Sequence, residues 1–446
     1  MVFAKSRAPC SLLPGAIAFH DGGAVNRYCT STAARFSIAA VETVAKPVLS
    51  GLRILEIGHF VAAPFCARLL ADLGADVVKI EPLAGDPVRG WGAQRDGQSI
   101  WWSMHGRNKR SVAMNLKSPA ARELVLRMVA KFDAVVENFR PGQLAQMGLG
   151  PERLRAVRPD LVIGHISGFG QDGPYRNRAA FGVIGEAMGG LRYLTNHPPG
   201  PPHSPPVRVG VSIGDSIAGL YAAFGIMAGL WNRDRKGGGQ ARTVDVALTE
   251  SVLSMMEGML PEFGALGRIK QPTGGGIATA APSNAYATVD GRWILIAANS
   301  EPLFARLASL LGRPEIVAMP EYNNNLVRVR NSAALDALIS EWTRRSTADA
   351  LLKQLEDADI PACGAYTVAD CASDPQFRYR GMVREVPDPQ HGVILQAGVV
   401  PKFPGSDDTV RWAGPALGQH TDEVLTELLG IQQSELHHLR SDGVIA

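Results

Sequence analysis

The apolar positions of this 446-residue chain form short segments that alternate between strand-like and helix-like spacing. Residues 52–58 predict a strand, residues 62–74 predict a helix with Pro64 in its first turn, and residues 75–81 predict a second strand. The same alternation continues through residue 167. Strand–helix–strand units build parallel sheets with right-handed crossovers, so we predict an α/β fold with a large, Rossmann-like, doubly wound sheet.

The second half of the chain has a different rhythm. Helical spacing covers residues 181–194, 216–231 and 246–259. Residues 284–296 then predict a hairpin with Asp290-Gly291 at its turn, and three helices follow at about 301–312, 332–345 and 346–358. This pattern predicts a smaller α+β domain over residues 280–385.

Composition and charge exclude several classes of protein. Hydrophobic residues make up 46% and charged residues 20% of the chain, as in an ordinary globular protein. The net charge of +3 is dispersed, which gives no reason to expect a nucleic-acid partner. The five cysteines lack metal-ligand spacing, so no metal is predicted. No apolar run approaches the roughly 18 residues of a membrane span, so no membrane is expected.

Residues 1–48 differ from the rest in being rich in Ala and Ser, with five basic residues against two acidic ones. Such a composition resembles an organellar transit peptide, and a disordered extension is the alternative interpretation. We predict a cytoplasmic location, with the mitochondrial matrix as the alternative if this segment is a targeting peptide. Neither interpretation makes the segment part of the fold.

Two features limit the chemistry. The first predicted strand is followed by Gly58-His-Phe-Val-Ala-Ala63 and not by GxGxxG, so the nicotinamide dinucleotide fingerprint is absent at this point. Nothing suggests a flavin or another permanently bound cofactor. Asp215, by contrast, is a lone carboxylate within the small and apolar residues 209–219. It could cap the following helix, or it could act as a covalent nucleophile, and the two roles are compatible.

Five stretches, taken together and in this order, resemble the family III coenzyme A transferases, which include the α-methylacyl-CoA racemases. The stretches are LLADLGADVVKIE at 69–81, GRNKRS at 106–111, VENFRPG at 136–142, GFGQDGPY at 168–175 and GPALGQHT at 414–421. The resemblance implies a large domain built from both chain ends, in an interlocked homodimer. The implied division is an extension at 1–48, the large domain at 49–235, a connecting segment at 236–279, the small domain, and a return to the large domain at 386–446.

The resemblance also implies the chemistry. Asp215 stands where these transferases have their nucleophile, and Gly274, Gly275 and Gly276 match the loop that closes over it. The substrates implied are an acyl-CoA thioester, with succinyl-CoA or another dicarboxyl-CoA preferred, and a carboxylic acid. The carried-over positions for CoA binding are Val61, Ala62, Arg107, Lys109, Arg110, Met114, Asn115, Lys117, Asn138, Phe139 and Arg140.

The same resemblance defines the alternative function, an α-methylacyl-CoA racemase that moves a proton with an acid–base pair. It places the racemase Asp at the position of Gly182, which cannot accept a proton, so this alternative is disfavoured. Glu186, one turn further along, is a conceivable substitute. A distal substrate carboxylate would need a cation, and the candidates are Arg178, Arg192 and Arg208.

Overall fold

The structure is a computed structural model that describes residues 45–198, 205–235 and 242–446. Residues 1–44 of the predicted extension and the first residues of the predicted connecting segment lie outside this part. The strands are β1 Arg53–Glu56, β2 Asp76–Glu81, β3 Gln94–Arg95, β4 Gln98–Ser99, β5 Lys109–Ala113, β6 Ala134–Glu137, β7 Val162–Ser167, β8 Thr243–Ala247, β9 Ser283–Ala287, β10 Trp293–Ala297, β11 Ala362–Gly364, β12 Val383–Asp388 and β13 Gly392–Ala397.

The helices begin directly after β1 and continue to the last residues of the chain. They are α1 Ala62–Asp72, α2 Ile100–His105, α3 Pro119–Val129, α4 Gln143–Gln146, α5 Pro151–Val157, α6 Gly182–Met188, α7 Leu191–Leu194, α8 Ile213–Asp234, α9 Leu248–Ser254, α10 Met259–Leu266, α11 Glu301–Leu310, α12 Asn325–Arg330, α13 Ser332–Thr343, α14 Ala348–Asp357, α15 Val368–Ser373, α16 Pro375–Tyr379, α17 Thr421–Leu429 and α18 Gln433–Ser441.

A six-stranded parallel sheet organises the molecule, in the order β5-β2-β1-β6-β7-β8. The chain runs outward from β1 through β2 to β5, and then returns to β6 on the other side of β1. Strand order therefore reverses between β1 and β6. In open parallel sheets, ligands bind at the carboxyl ends of the strands beside such a reversal.

Successive side chains along the strands of the large sheet point to opposite faces and pack into two hydrophobic cores, one on each face of the sheet. Leu55 of β1 contributes to the core that contains α3 and α17, whereas Ile54 contributes to the core that contains α1 and α8. Helices on both faces explain why these strands read as nearly continuous apolar runs. The predicted α/β class with a large parallel sheet is confirmed.

Helix α8 corrects one expectation from the sequence. Of the residues described, it alone forms a helix long and apolar enough to cross a membrane by length and composition, with a mean hydropathy of 1.4. In this structure it packs against α1 and lies on β7 and β8. The core helix of a soluble protein passes the same test of length and composition. In α8, 44% of the most apolar 18-residue stretch is buried inside the protein.

A second, antiparallel sheet of order β11-β10-β9 has a core of its own. Tyr286, Ile294 and Phe304 lie in that core, with side chains from α13 and α14. Two helix predictions needed correction. The predicted helix at 181–194 divides into α6 and α7 because Gly190 has a φ of +90°. The one at 246–259 is shortened to α9, because its first two residues belong to β8 and α10 begins only at Met259.

Candidate active site

A cleft of about 260 Å³ opens at the carboxyl edge of the large sheet, where β1, β6 and β7 end. Its walls are the segments that follow these strands, together with the first turn of α8. The lining residues are His59, Phe60, Val61, Ala62, Asn138, Phe139, Arg140, Gln143, Ile166, Ser167, Gly168, Ala179, Ala180, Phe181, Asp215 and Leu248. The structure thus brings Asp215 together with five of the residues predicted for CoA binding.

Asp215 lies inside the first turn of α8. The helix begins at Ile213, and Ser212 occupies the capping position without a side-chain hydrogen bond. The interpretation of Asp215 as the residue that caps the helix is therefore wrong. Its carboxylate faces the cleft at the positive end of the helix dipole, a place that favours a negative charge.

Gly182, the first residue of α6, leaves the space that the Asp215 carboxylate occupies. A Cβ atom added at Gly182 would stand 2.0 Å from Oδ2 of Asp215 and 3.1 Å from its backbone nitrogen. A Cβ atom cannot lie 2.0 Å from an oxygen, so any other residue at this position would displace the Asp215 carboxylate. The sequence pointed to Gly182 only as a missing proton acceptor, and its steric role appears only in three dimensions.

The pKa of Asp215 is raised to about 6, mainly by burial and then by the nearby Glu186 carboxylate, while Arg208 acts to lower it. Glu186 is 1% exposed, and neither of its carboxylate oxygens receives a hydrogen bond from the described residues. The Arg208 Nε atom lies 3.6 Å from Oε2 of Glu186. Two carboxyl groups and one guanidinium therefore lie close together here, and of the three only Asp215 lines the cleft.

Asn138 holds the opposite wall through a pair of hydrogen bonds. The backbone N–H of His59 donates to Asn138 Oδ1 at 2.9 Å, and Asn138 Nδ2 donates to the His59 carbonyl at 2.8 Å. Arg140, at the mouth of the cleft, is exposed and makes no ion pair with any residue that the structure describes. Its guanidinium is free to meet an anionic group there.

Three basic residues predicted for CoA binding, as candidates for its phosphates, lie elsewhere. Arg107 is 1% exposed and donates twice to Asp72, and Lys109 is fully buried and contacts Glu56 at 2.6 Å. Arg110 pairs with acidic residues on β2 and α17. These pairings argue against the predicted contact with CoA phosphates, because the charged groups already have protein partners.

The remaining predicted positions are also outside the cleft. Met114 is fully buried, Asn115 Nδ2 donates to the Gly443 carbonyl, and Lys117 is exposed beyond the end of β5. In the glycine loop, Gly274 donates to the Asn196 carbonyl, and Gly275 and Gly276 lie beside Asn284. The structure does not bring this loop against Asp215.

Of the three arginines predicted for a substrate carboxylate, Arg208 is the one near Asp215. Arg178 stacks on the Tyr175 ring, with its guanidinium carbon 3.7 Å from the ring centroid. Arg192 lies on α7, and its buried Nε has no hydrogen-bond partner among the described residues. None of the three arginines lines the cleft.

The sequence prediction missed several cleft residues. Phe60 and His59 follow β1, their rings lie 5.3 Å apart, and Phe181 meets Phe60 edge-on. Burial lowers the pKa of His59, with Asp86 acting against this and Lys79 reinforcing it, which favours a neutral ring. His59 and Phe60 could have been predicted from their position in the sequence, because residues that follow parallel strands gather at one edge of the sheet.

A second cavity, of about 350 Å³, adjoins the cleft at Val61, which lines both. Its walls include Ser212 and Ser216, which flank Asp215 in sequence, and the ring of Trp101. The first turn of α8 therefore separates two spaces. Across the described ranges, no three His, Cys, Asp or Glu side chains come close enough to hold a metal ion.

Comparison with known proteins gives a consistent result. The profile described as "CoA-transferase family III" matches residues 49–421. A succinyl-CoA–D-citramalate CoA-transferase of Chloroflexus aurantiacus is 45% identical over 89% of this chain and 98% of its own length. The succinyl-CoA:glutarate CoA-transferase of Homo sapiens is 32% identical over 89% of this chain and 90% of its own.

A solved structure agrees with these relatives. A CAIB/BAIF family protein from Brucella suis superposes with a TM-score of 0.75 at 33% sequence identity, covering 86% of this chain and 100% of that one. The chain therefore belongs to family III of the CoA-transferases and is a CoA-transferase.

Proposed function

We propose that this enzyme moves CoA from succinyl-CoA, or another dicarboxyl-CoA, to a carboxylic acid, with Asp215 as the covalent nucleophile. The observation that carries the proposal is the position of Asp215, whose carboxylate faces a cleft at the reversal point of a parallel sheet. The preference for a dicarboxyl donor rests on the relatives, whose names specify succinyl-CoA.

The first half-reaction transfers CoA to the enzyme. A carboxylate oxygen of Asp215 attacks the thioester carbonyl, the C–S bond breaks, and CoA leaves as its thiolate, so that a mixed anhydride forms. The thiolate then attacks the aspartyl carbonyl, and the donor acid leaves as its carboxylate. The product is a thioester between CoA and Asp215.

The second half-reaction reverses these steps with another acid. The acceptor carboxylate attacks the aspartyl thioester, the thiolate leaves, and a second anhydride forms. The thiolate then attacks the acceptor's acyl carbonyl, which yields the new acyl-CoA and restores the Asp215 carboxylate. Each step forms a tetrahedral oxyanion, so hydrogen-bond donors close to Asp215 are required. The closure of Gly274, Gly275 and Gly276 over the site stays a prediction.

The two cavities support a division of the substrate. We assign the CoA arm to the cleft, where the small residue Ala62 lets the backbone approach the ligand and Arg140 can meet a phosphate. We assign the acid to the neighbouring cavity at Ser212 and Ser216. In this arrangement the transferred carbonyl lies at the first turn of α8, next to Asp215.

The racemase alternative rests on Glu186, the one buried carboxylate beside Asp215 for which the described residues supply no hydrogen bond. A racemase would exchange the α-proton of a 2-methylacyl-CoA with solvent, and deuterium would appear at that carbon in heavy water. We expect no such exchange. Rapid incorporation of deuterium without CoA transfer would establish the alternative.

The test of the proposal is CoA exchange between succinyl-CoA and a panel of acids that includes citramalate, malate and glutarate. We expect new acyl-CoA in the parent enzyme and none in Asp215→Ala. Asp357→Ala serves as the matched control, because Asp357 lies on α14 with a side chain that is 63% exposed. Full exchange in Asp215→Ala would refute the assignment of the nucleophile.

A further inference from the structure

Together with the first turn of α8, the loop between β1 and α1, residues 58–61, forms the partition between the two cavities. Phe60 lines the cleft, and Val61 lines both the cleft and the second cavity. Phe60 has a φ of +63°, a left-handed conformation that is unfavourable for a bulky residue. Such a conformation persists only where surrounding contacts impose it, and it is found most often at functional sites.

Three consecutive residues of this loop are each held by a side chain from another part of the chain. The Gly58 carbonyl accepts from Lys79 Nζ at 2.8 Å. The His59 backbone is held by Asn138, as described above. The Phe60 N–H donates to Asp86 Oδ1 at 3.1 Å, and this bond fixes the residue whose backbone is strained.

Asp86 belongs to a buried network of charges beneath the loop. Its Oδ2 lies 2.8 Å from Lys79 Nζ, which also contacts Glu56 at 2.7 Å. Glu56 in turn binds Lys109, whose Nζ donates to the Pro64 carbonyl in the first turn of α1. The network holds two carboxylates and two ammonium groups, so the formal charges balance. Charges buried in this way require partners and hydrogen bonds to be tolerated.

The geometry points to Asp86 as a positioning residue for CoA transfer: we infer that it holds Phe60 in its left-handed conformation, and so sets the wall between the CoA arm and the acid. This inference rests on the proposed function for its meaning in catalysis. Asp86 does not line the cleft and does not touch Asp215, so its effect on the reaction passes through the loop.

Charge and hydrogen-bond geometry can be separated at this position. In the parent, the N–H groups of Phe60 and Val88 both donate to Asp86 Oδ1. Asp86→Asn keeps an oxygen that can accept these two bonds, but it removes the negative charge that pairs with Lys79. In Asp86→Glu, the charge is kept, but the longer side chain moves the acceptor away from Phe60. The same substitutions at Asp72 are matched controls, because Asp72 is buried and paired with Arg107 at the far end of α1.

We expect Asp86→Asn to lose less than about tenfold in kcat/KM for the acyl-CoA, since the acceptor for the Phe60 N–H is retained, although the amide NH2 that then faces the Lys79 ammonium lowers the stability of the enzyme. We expect Asp86→Glu to lose about 100-fold, mostly through a higher KM, because misplacement by an ångström at a reacting site has effects of that size. Both Asp72 variants should keep the parent kcat/KM even where they unfold at lower temperature. If Asp86→Glu does not fold, Asp86→Ser removes the charge and shortens the side chain, and should show the same loss.

CoA affinity measured by calorimetry separates this inference from the proposed function, because it requires no turnover. If the parent enzyme transfers no CoA, the proposed function fails, while weaker CoA binding by Asp86→Glu than by Asp86→Asn still supports the role of Asp86. The inference is overturned if folded Asp86→Glu binds and turns over acyl-CoA like the parent. It is overturned equally if Asn and Glu lose the same activity, or if the Asp72 variants lose as much.

Discussion

The carboxylate of Asp215 can face the cleft because Gly182, on the neighbouring helix, has no Cβ. We predict that Gly182→Ala lowers kcat by roughly 100-fold, because the added methyl would displace the nucleophile from its position. The measurement is steady-state CoA transfer, with folding checked by circular dichroism. Gly264→Ala on α10 is the control, since a Cβ there meets nothing within 4 Å. A Gly182→Ala enzyme with the parent rate would show that Asp215 is not held at this place.

Ionisation of Asp215 should govern the dependence of the reaction on pH. Its pKa of about 6 means that the carboxylate is the main form at neutral pH, and that protonation removes the nucleophile as the pH falls through 6. Glu186→Gln takes away a negative charge that raises this pKa, so the acidic limb of kcat/KM should move to lower pH. Arg208→Gln takes away the opposing charge and should move the limb to higher pH. Profiles that coincide in all three enzymes would contradict this assignment.

Among the helices, α8 shows that the apolar spacing of the sequence predicts the presence of a helix better than it predicts the residue at which the helix begins. Its apolar spacing predicted a helix from residue 216, and the observed helix begins at Ile213. The three extra residues carry no start signal, because Ser212 makes no side-chain cap and Gly214 is a poor helix former. Strand β2 lies within one residue of the predicted segment 75–81, since buried parallel strands leave a clear apolar run.

Helices α1 and α8 approach closely at Gly219. A Cβ added there would lie 2.7 Å from the Ala62 carbonyl oxygen and 3.2 Å from the Cys66 nitrogen. Both atoms belong to the backbone and cannot turn aside, so Gly219→Ala should lower the free energy of unfolding by about 1–3 kcal/mol. Chemical denaturation measures the change. Gly264→Ala should be neutral or stabilising by comparison, because Ala favours a helix; equal stability of the two variants would argue against this close contact.

At the scale of the whole molecule, one face of α8 is apolar and exposed in the single chain. Leu220, Phe224 and Trp231 follow helical spacing on that face, with exposed fractions of 51%, 71% and 72%. We propose that a second copy of the chain covers it, in agreement with the predicted homodimer. Phe224→Asp should then shift the enzyme to monomers in analytical ultracentrifugation. Val368→Asp, on α15, should not, and a monomeric parent would contradict the proposal.

The sequence predicted the α/β class, the large parallel sheet and the family, because each depends on patterns that are local or that occur in a fixed order. The cleft was predicted in part. Val61 and Asn138, carried over from the resemblance as CoA-binding positions, were found to line the cleft, since the segments that follow parallel strands gather at one edge of the sheet. Arg107 and Lys109 were not, because nothing in a sequence shows that a basic residue already has a buried acidic partner. The domain boundaries stay predictions.

The passage of CoA through a thioester on Asp215 can be observed by mass spectrometry of the enzyme quenched during turnover with succinyl-CoA. We expect a peptide containing Asp215 that carries the mass of CoA less one water, and no such adduct in Asp215→Ala. Hydroxylamine should release the adduct, as expected for a thioester. An adduct on another residue, or CoA transfer at the parent rate by Asp215→Ala, would contradict the account.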